Sequence, residues 1–309
     1  MVPFQQLPYD RLPEAPRRPH AYAESAARTV TLDSAAFGRH EVAYRELGTG
    51  APLLLVHGLM TTSYSWRWVM APLAERGFRV IAPDLVGCGA SEKPRDKVYS
   101  ARNLGAWVGA LGRALDVRGC AVVGNSLGGL ACKWLALDDP GATRVLVDLH
   151  PPIFPEPRYA ALAAALAAPG AKALLRWMVR RDPRRWAHRN VHYWDETLKS
   201  REEARAYGDP LADDAGARAF VAYLTDAVAP AGFRAMAARL EALSAQGEDF
   251  PVPLKIVYAR RDPMVSPENG ARLARLFPRA EMVWLDDCSH FPQVDRPDDP
   301  VALVARWCA

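Results

Sequence analysis

The stretch from Cys120 to Leu130 constrains the fold of this chain more than any other. Its sequence is CAVVGNSLGGL: a short apolar run, the pattern G-x-S-x-G from Gly124 to Gly128, and the start of a helix-forming segment. In a sharp turn between a buried strand and a helix, a serine projects its hydroxyl group from the sheet. Glycines on both sides remove side chains that would clash in so tight a turn. The stretch therefore predicts a strand–turn–helix unit in which Ser126 is a candidate nucleophile.

Short apolar runs alternate with helical patterns over much of the remaining chain. Strands that are apolar on both faces are typical of a parallel sheet covered by helices. Two earlier stretches, 27–32 and 40–46, alternate in polarity and predict antiparallel strands. The predicted fold class is therefore α/β, with a mostly parallel sheet flanked by helices. Buried strands are predicted at 53–56, 79–82, 121–123, 145–147, 254–258 and 281–285, and helices at 64–76, 101–115, 127–137, 267–276 and 300–307.

The alternation stops between residues 151 and 232. This segment is rich in alanine, has a helical character and is broken by prolines at positions 155, 157, 169, 183 and 210. We expect it to be a helical cap (lid) inserted into a core made of residues 27–150 and 233–309. Residues 1–26 are rich in proline and arginine and predict an irregular N-terminal arm.

Composition excludes several classes of protein. The formal charge of the 309 residues is +4 and no long basic run occurs, so we expect no nucleic-acid partner. The five cysteines form no C-x-x-C pair, which argues against a zinc site or a disulfide framework. With no signal-peptide pattern and no long apolar run, we expect a soluble, cytoplasmic protein without a membrane partner. A homo-oligomer stays open, and no metal or organic cofactor is expected.

Two polar residues follow the last two predicted strands and complete a candidate triad. Asp262 lies in the turn after the first of them, and His290 lies in the loop after the second. The carboxyl ends of parallel strands share one edge of a sheet, so both side chains are expected near Ser126. There His290 can act as the base and Asp262 can orient it. Asp148, which also follows a strand, is the alternative acid.

Backbone amides are expected to stabilise the oxyanion. We nominate the amides of Leu59, after the strand that ends in His57-Gly58, and of Leu127, directly after the nucleophile. His57 itself is expected to be structural, because it precedes a glycine at a strand end.

The substrate pocket is expected to be mainly apolar. Candidate lining residues are Met60, Phe154, Trp177 and Phe291, although each also fits plain core packing. His150 is expected to be a hinge residue of the cap or a pocket residue.

These motifs together resemble the α/β-hydrolase superfamily, in its esterase-like branch with a serine nucleophile. The resemblance covers about residues 41–150 and 253–309. It rests on five segments: His57-Gly58, DLVGCGAS at 84–91, GNSLG at 124–128, RDPMV at 261–265 and SHFP at 289–292.

Within the superfamily, the loop at 57–67 is similar to that of haloalkane dehalogenases and epoxide hydrolases. Those enzymes use an aspartate nucleophile, and Ser126 departs from them, which argues against dehalogenation and epoxide opening. The GNSLGG segment is also similar to that of esterases and of hydrolases that cleave carbon–carbon bonds of meta-cleavage products. The latter usually carry tryptophan after the histidine, where this chain has Phe291.

The resemblance implies hydrolysis of a small-molecule carboxylic ester through an acyl-enzyme. Carbon–carbon bond hydrolysis, lactone opening and acyl transfer can use the same residues. A ligand-binding receptor on a hydrolase scaffold is the alternative outside enzymes.

Overall fold

One eight-stranded sheet organises the computed structural model, which describes residues 2–308. The strand order is β1-β2-β4-β3-β5-β6-β7-β8. The pairs β1–β2 and β2–β4 are antiparallel, and every other neighbouring pair is parallel. The predicted α/β class and the two antiparallel strands are confirmed. The strands are β1 Ala26–Ser34, β2 Gly38–Leu47, β3 Ala51–Val56, β4 Phe78–Pro83, β5 Cys120–Asn125, β6 Thr143–Leu149, β7 Leu254–Ala259 and β8 Glu281–Leu285.

The central strands are buried on both faces, as their unbroken apolar sequences predict. All six residues of β5 are buried, and so are the last four residues of β3. β5 lies between β3 and β6, with parallel pairing on each side. Loops that follow these three strands therefore meet at one edge of the sheet, where open α/β sheets place their sites.

Within residues 2–308, twelve α-helices accompany the sheet. They are α1 Met70–Glu75, α2 Ala101–Ala114, α3 Leu127–Asp138, α4 Pro157–Ala167, α5 Ala171–Arg181, α6 Pro183–Asn190, α7 Arg201–Gly208, α8 Asp214–Ala222, α9 Pro230–Ala245, α10 Glu268–Leu276, α11 Pro292–Asp295 and α12 Asp298–Cys308. The stretch predicted as one helix at 64–76 is instead a 3₁₀ turn, Ser63–Trp66, followed by the shorter α1. All four residues of that turn are buried, so packing rather than helical periodicity fixes their conformation.

Helices α4 to α8 fill the segment predicted as a cap, which contains no strand. A buried ion pair attaches this segment to the sheet side of the molecule. Arg67, after the 3₁₀ turn, lies 2.6 Å from the carboxylate of Glu203 on α7. Tyr193 donates a hydrogen bond to the same carboxylate at 2.8 Å. A pair so well enclosed is costly to break, because either charge alone would be buried without a partner.

The segment predicted as an N-terminal arm contacts both α7 and Trp68, which follows the 3₁₀ turn at Ser63–Trp66. The amides of Arg201 and Glu202, in the first turn of α7, donate to carbonyls of Pro13 and Glu14 at 2.9 and 3.0 Å. The indole of Trp68 donates to the carbonyl of Pro19 at 3.1 Å. Residues 2–25 are irregular apart from two single 3₁₀ turns, at Tyr9–Arg11 and Tyr22–Glu24.

Within residues 2–308, no single helix combines the length and apolar character needed to cross a bilayer. Among these residues, α4 and α5 have the required length and apolar character only when they are taken together, and the two helices meet at a 100° bend.

Candidate active site

Ser126 occupies a strained turn between β5 and α3. Its dihedral angles, φ 55° and ψ −122°, lie where residues other than glycine are rarely found. Its amide donates to the carbonyl of Leu149 at 2.8 Å, which fastens the turn to the end of β6. A Cβ atom at Gly128 would lie 2.3 Å from the carbonyl oxygen of Val56, and one at Gly58 would lie 2.9 Å from the Cβ of Ser126. The glycines therefore allow the close approach that this turn needs.

Asp262 and His290 form a hydrogen-bonded pair beside this turn. His290 Nδ1 lies 2.6 Å from Asp262 Oδ2, and neither side chain is more than 2 % exposed. The other carboxylate oxygen accepts hydrogen bonds from the amides of Met264 and Val265, at 2.6 and 3.0 Å. With Nδ1–H donated to the carboxylate, His290 keeps a lone pair on Nε2.

The environment keeps Asp262 ionised. Burial alone would raise the pKa of Asp262, but the charge of His290, the close contact with the His150 imidazole and the hydrogen bond with His290 outweigh it and lower that pKa. An ionised carboxylate is what the orienting partner of a catalytic imidazole requires.

A second imidazole contacts the same carboxylate oxygen. His150, directly after β6, has Nδ1 at 2.8 Å from Asp262 Oδ2 and is fully buried. Its Nε2 accepts a hydrogen bond from the amide of Ala259 at 2.6 Å. The sequence predicted a hinge or pocket role for His150, and the structure instead places it against the candidate acid, outside the cavity wall.

Asp148, the alternative acid, is paired elsewhere. Its carboxylate forms an ion pair with Lys133 of α3, and neither side chain reaches solvent. Burial raises the pKa of Asp148, and the charge of Lys133 opposes that rise. The structure therefore brings Asp262, rather than Asp148, to His290.

The amides of Leu59 and Leu127 are suited to bind an oxyanion. Both residues line the cavity that contains Ser126 and His290. Among residues 2–308, no backbone carbonyl accepts a hydrogen bond from either amide. Leu127 is also the first residue of α3, whose positive end favours negative charge nearby.

The cavity has a volume of about 380 Å³ and a mostly apolar wall. That volume is within the usual range for small-molecule sites. Its wall comprises Leu59, Met60, Ser126, Leu127, Pro152, Arg158, Tyr159, Leu162, Asn190, Val191, Val228, Pro263, Met264, Val265 and His290.

Of the four predicted pocket residues, only Met60 lies in this wall, and the other three need correction. Phe154 is buried in the main core, with the Arg272 guanidinium over its ring. Trp177 is 57 % exposed on the outer face of α5. Phe291 packs edge-on against the rings of His290 and Tyr193, behind the wall.

Sequence reasoning missed Arg158 and Tyr159 of α4, Asn190 of α6 and Val228, which the cap segment contributes to the wall. Which face a cap helix presents to the cavity depends on how the helices pack, and the alanine-rich sequence carries little signal for it.

His57 and Asp84 brace the loops around the cavity. His57 is fully buried; Nε2 accepts from the amide of Leu85 at 2.9 Å, and Nδ1 donates to the carbonyl of Gly58 at 2.8 Å. Asp84 accepts from the amides of Ser63 and Ala90, both at 2.8 Å. Both ring nitrogens of His57 are engaged, which fits the structural role predicted for it.

In the part of the chain that the structure describes, the ligand atoms of His150, Asp262 and His290 also lie close enough to hold a metal ion, within 4.8 Å of one another. Most of these atoms are already engaged: His290 Nδ1 is hydrogen-bonded to Asp262 Oδ2, Oδ1 accepts from two amides, and His150 Nδ1 faces Oδ2 at 2.8 Å. The arrangement fits a proton-holding cluster better than a coordination sphere, which needs unprotonated Nδ1 atoms.

The turn at Ser126, the parallel sheet and the His290–Asp262 pair agree with a comparison with protein families. A family model described as alpha/beta hydrolase fold matches residues 51–297. The chain belongs to the α/β-hydrolase family. It is accordingly an enzyme of the hydrolase class.

Known α/β hydrolases that the chain resembles differ in their reactions. It is 28 % identical over 268 residues to a 2-hydroxymuconate semialdehyde hydrolase of Pseudomonas sp. (strain CF600), covering 85 % of this chain and 88 % of the relative. The epoxide hydrolase CorEH superimposes with a TM-score of 0.73 at 21 % identity, covering 91 % of this chain and 98 % of the other. An esterase from Thermogutta terrifontis superimposes with a TM-score of 0.70 at 22 % identity, with the same two coverages. Membership of the family therefore identifies the fold and the hydrolase class. The type of reaction has to be inferred from the residues of the site.

Proposed function

We propose that the protein hydrolyses small-molecule carboxylic esters through an acyl-enzyme on Ser126. The observation that carries the proposal is the 2.6 Å contact between His290 Nδ1 and Asp262 Oδ2, on a histidine that shares one cavity wall with Ser126. A serine, a histidine with a free Nε2 and an ionised carboxylate make up the machinery of acyl transfer.

The proposed reaction has two halves. His290 Nε2 takes the proton of Ser126 Oγ as that oxygen bonds to the carbonyl carbon of the ester. The amides of Leu59 and Leu127 hold the negative charge that develops on the carbonyl oxygen. When the carbon–oxygen bond to the alcohol breaks, His290 returns the proton to the leaving oxygen. Water then attacks the acyl-enzyme in the same way, and the acid is released with Ser126 restored.

The cavity wall favours a neutral, largely apolar substrate. Among the described wall residues, Arg158 is the one arginine, and none is a lysine, aspartate or glutamate. The Arg158 guanidinium is already paired with Glu156, with Nε 3.0 Å from the carboxylate. A neutral ester loses less hydration on entering such a cavity than a substrate with an unpaired carboxylate would.

A second candidate reaction is carbon–carbon bond hydrolysis. It is favoured by the 28 % identity to a 2-hydroxymuconate semialdehyde hydrolase over most of both chains. Substrates of that chemical kind carry a carboxylate, and Glu156 offsets the charge of Arg158, the one arginine or lysine of the wall, so the wall carries little net positive charge to attract it; this makes ester hydrolysis the better-supported candidate here.

The proposal is tested by comparing Ser126→Ala with Ser244→Ala on p-nitrophenyl esters of increasing acyl length. Ser244 lies near the end of α9, away from the cavity, and serves as the matched control. We expect Ser126→Ala to lower kcat roughly 10⁴- to 10⁶-fold and Ser244→Ala to leave it unchanged. Ester turnover that survives in Ser126→Ala would refute the proposal.

To distinguish the two reactions, kcat/KM of the wild-type enzyme is also measured on lactones and on vinylogous diketone acids. A kcat/KM for the diketone acids above that for every ester would replace ester hydrolysis with the second candidate.

A further inference from the structure

Two imidazoles meet on one carboxylate oxygen at this site. Oδ2 of Asp262 lies 2.6 Å from Nδ1 of His290 and 2.8 Å from Nδ1 of His150. The two rings are 5.7 Å apart between centroids and come from loops after different strands. A triad needs only one of these imidazoles, so the position of His150 requires a separate explanation.

The hydrogen bond from Ala259 defines the tautomer of His150. An amide can only donate, so Nε2, at 2.6 Å from the Ala259 nitrogen, must carry a lone pair. The proton of the neutral ring is then on Nδ1, which faces Asp262. Nδ1 lies 2.8 Å from Oδ2 but forms no hydrogen bond of good geometry in the present ring orientation. Because χ2 of histidine is a soft torsion, a small rotation aligns the bond.

His150 is also held in its neutral form. Burial lowers the pKa of His150, and the contact with Asp262 only partly opposes this effect. The groups that face the ring are Asp262, His290 and the phenol of Tyr258, whose ring centre lies 5.0 Å away. Protonating Nε2 would break the Ala259 hydrogen bond and place a second cation beside a protonated His290.

We infer that His150 is a positioning residue. It stays neutral and donates a hydrogen bond that holds Asp262 in place. The same bond weakens the attraction between this carboxylate and the proton of His290. The inference rests on the proposed roles of Ser126, Asp262 and His290. A hydrogen bond to Oδ2 stabilises the negative charge there, so less of that charge acts on the imidazolium of His290. His290 then releases its proton, and becomes the base, at a lower pH than it would without His150.

Two substitutions separate this role from a purely structural one. In His150→Asn, the amide NH₂ group can take the place of Nδ1–H and donate to Asp262, while the Ala259 amide loses its acceptor. In His150→Gln, the amide oxygen can take the place of Nε2 and accept from Ala259, while the donor to Asp262 is lost. The pair therefore divides the two contacts of His150 between two variants.

The measurement is the pH profile of kcat/KM on a p-nitrophenyl ester, with active sites counted by a fluorophosphonate and folding followed by thermal unfolding. We expect His150→Gln to shift the acidic limb upward by about one pH unit, as loss of a charge-assisted hydrogen bond implies. His150→Asn should keep the wild-type limb. Unchanged limbs in both variants, or a shift in His150→Asn alone, would overturn the inference.

Imidazole NMR of the ¹⁵N-histidine-labelled wild type tests the neutral state without relying on catalysis. We expect one histidine, assigned by its loss in His150→Asn, to keep Nδ1 protonated and Nε2 unprotonated between about pH 5 and 8. Titration of His150 in that range would also overturn the inference. If Ser126→Ala kept its activity, the proposed function would be wrong. The NMR test of the protonation state of His150 does not depend on that outcome.

Discussion

Lys133 of α3 and Asp148 of β6 form an ion pair in which neither side chain reaches solvent. The pair lies behind the nucleophile turn and occupies the carboxylate that the sequence offers as the alternative acid. Asp148→Asn would leave the Lys133 ammonium buried without a counter-charge. We expect this variant to lose about 3–5 kcal/mol of unfolding free energy in a urea titration. Its turnover per titrated active site should stay near that of the wild type.

Asp262→Asn should lose turnover, which Asp148→Asn is expected to keep. An asparagine amide would face Nδ1 of His290 and favour the tautomer with the proton on Nε2, where a base needs its lone pair. We expect kcat to fall by roughly 10⁴-fold, measured on the same ester. If Asp148→Asn lost turnover to this extent and Asp262→Asn did not, the two carboxylates would have to exchange roles.

The nucleophile turn has no room for a methyl group at Gly128. A Cβ atom there would lie 2.3 Å from the Val56 carbonyl and 2.5 Å from that of His57, both rigid backbone atoms. We expect Gly128→Ala to destabilise the fold by more than about 2 kcal/mol, since the strand and helix must separate to admit it. Circular dichroism during thermal unfolding measures the loss.

Gly232 provides the matched control for that substitution. It lies in α9, where a Cβ atom would meet nothing within 4 Å. Gly232→Ala should therefore raise the unfolding free energy by about 0.5–1 kcal/mol, as alanine does inside helices. Equal effects of the two substitutions would show that the turn relaxes more easily than its contacts imply.

Mild acid should destabilise the protein through its buried histidines. Burial lowers the pKa of His57 and of His150, so the native state keeps them neutral while the unfolded chain protonates them below about pH 6.5. The unfolded state then binds more protons, and stability falls as the pH falls. Each histidine that stays neutral should cost about 1.4 kcal/mol between pH 7.5 and 5.5.

Asp295 should have the opposite effect on stability as the pH falls. Burial raises the pKa of Asp295 to about 6, so native Asp295 binds a proton that the unfolded chain releases between about pH 4 and 6. Asp295→Asn should therefore steepen the loss of stability with acid, and His150→Asn should flatten it. Urea unfolding at a series of pH values tests both, and a stability that rose on acidification from pH 7.5 would contradict the histidine account.

Much of the fold could be predicted because the signals are local. The runs at 53–56 and 121–123 are apolar throughout, and the glycines around Ser126 fit only a tight turn, so each segment specifies its own conformation. The order of Ser126, Asp262 and His290 along alternating strands then placed them at one edge of the sheet. The structure places Asp262 and His290 in contact there, with Ser126 on the same cavity wall.

The partners of Asp148 and His150 could not be predicted, because they depend on how elements pack. Lys133 meets Asp148 only because α3 lies across β6 in one particular rotation. A lysine inside LGGLACKWLALD, a helix whose first eleven residues are all buried, was nevertheless a signal that a buried acid must lie nearby. His150 turns toward Asp262 from a left-handed backbone, φ 53°, a conformation that glycine or asparagine would have signalled and histidine does not.

The central claim is that Ser126 is the nucleophile, and the most direct test is to locate a covalent adduct. The protein is treated with a fluorophosphonate, digested and mapped by mass spectrometry, beside Ser126→Ala and His290→Ala. We expect one phosphonylated serine, Ser126, with no adduct in Ser126→Ala and much slower labelling in His290→Ala. An adduct on another serine, or ester turnover that persists while Ser126 stays unlabelled, would contradict it.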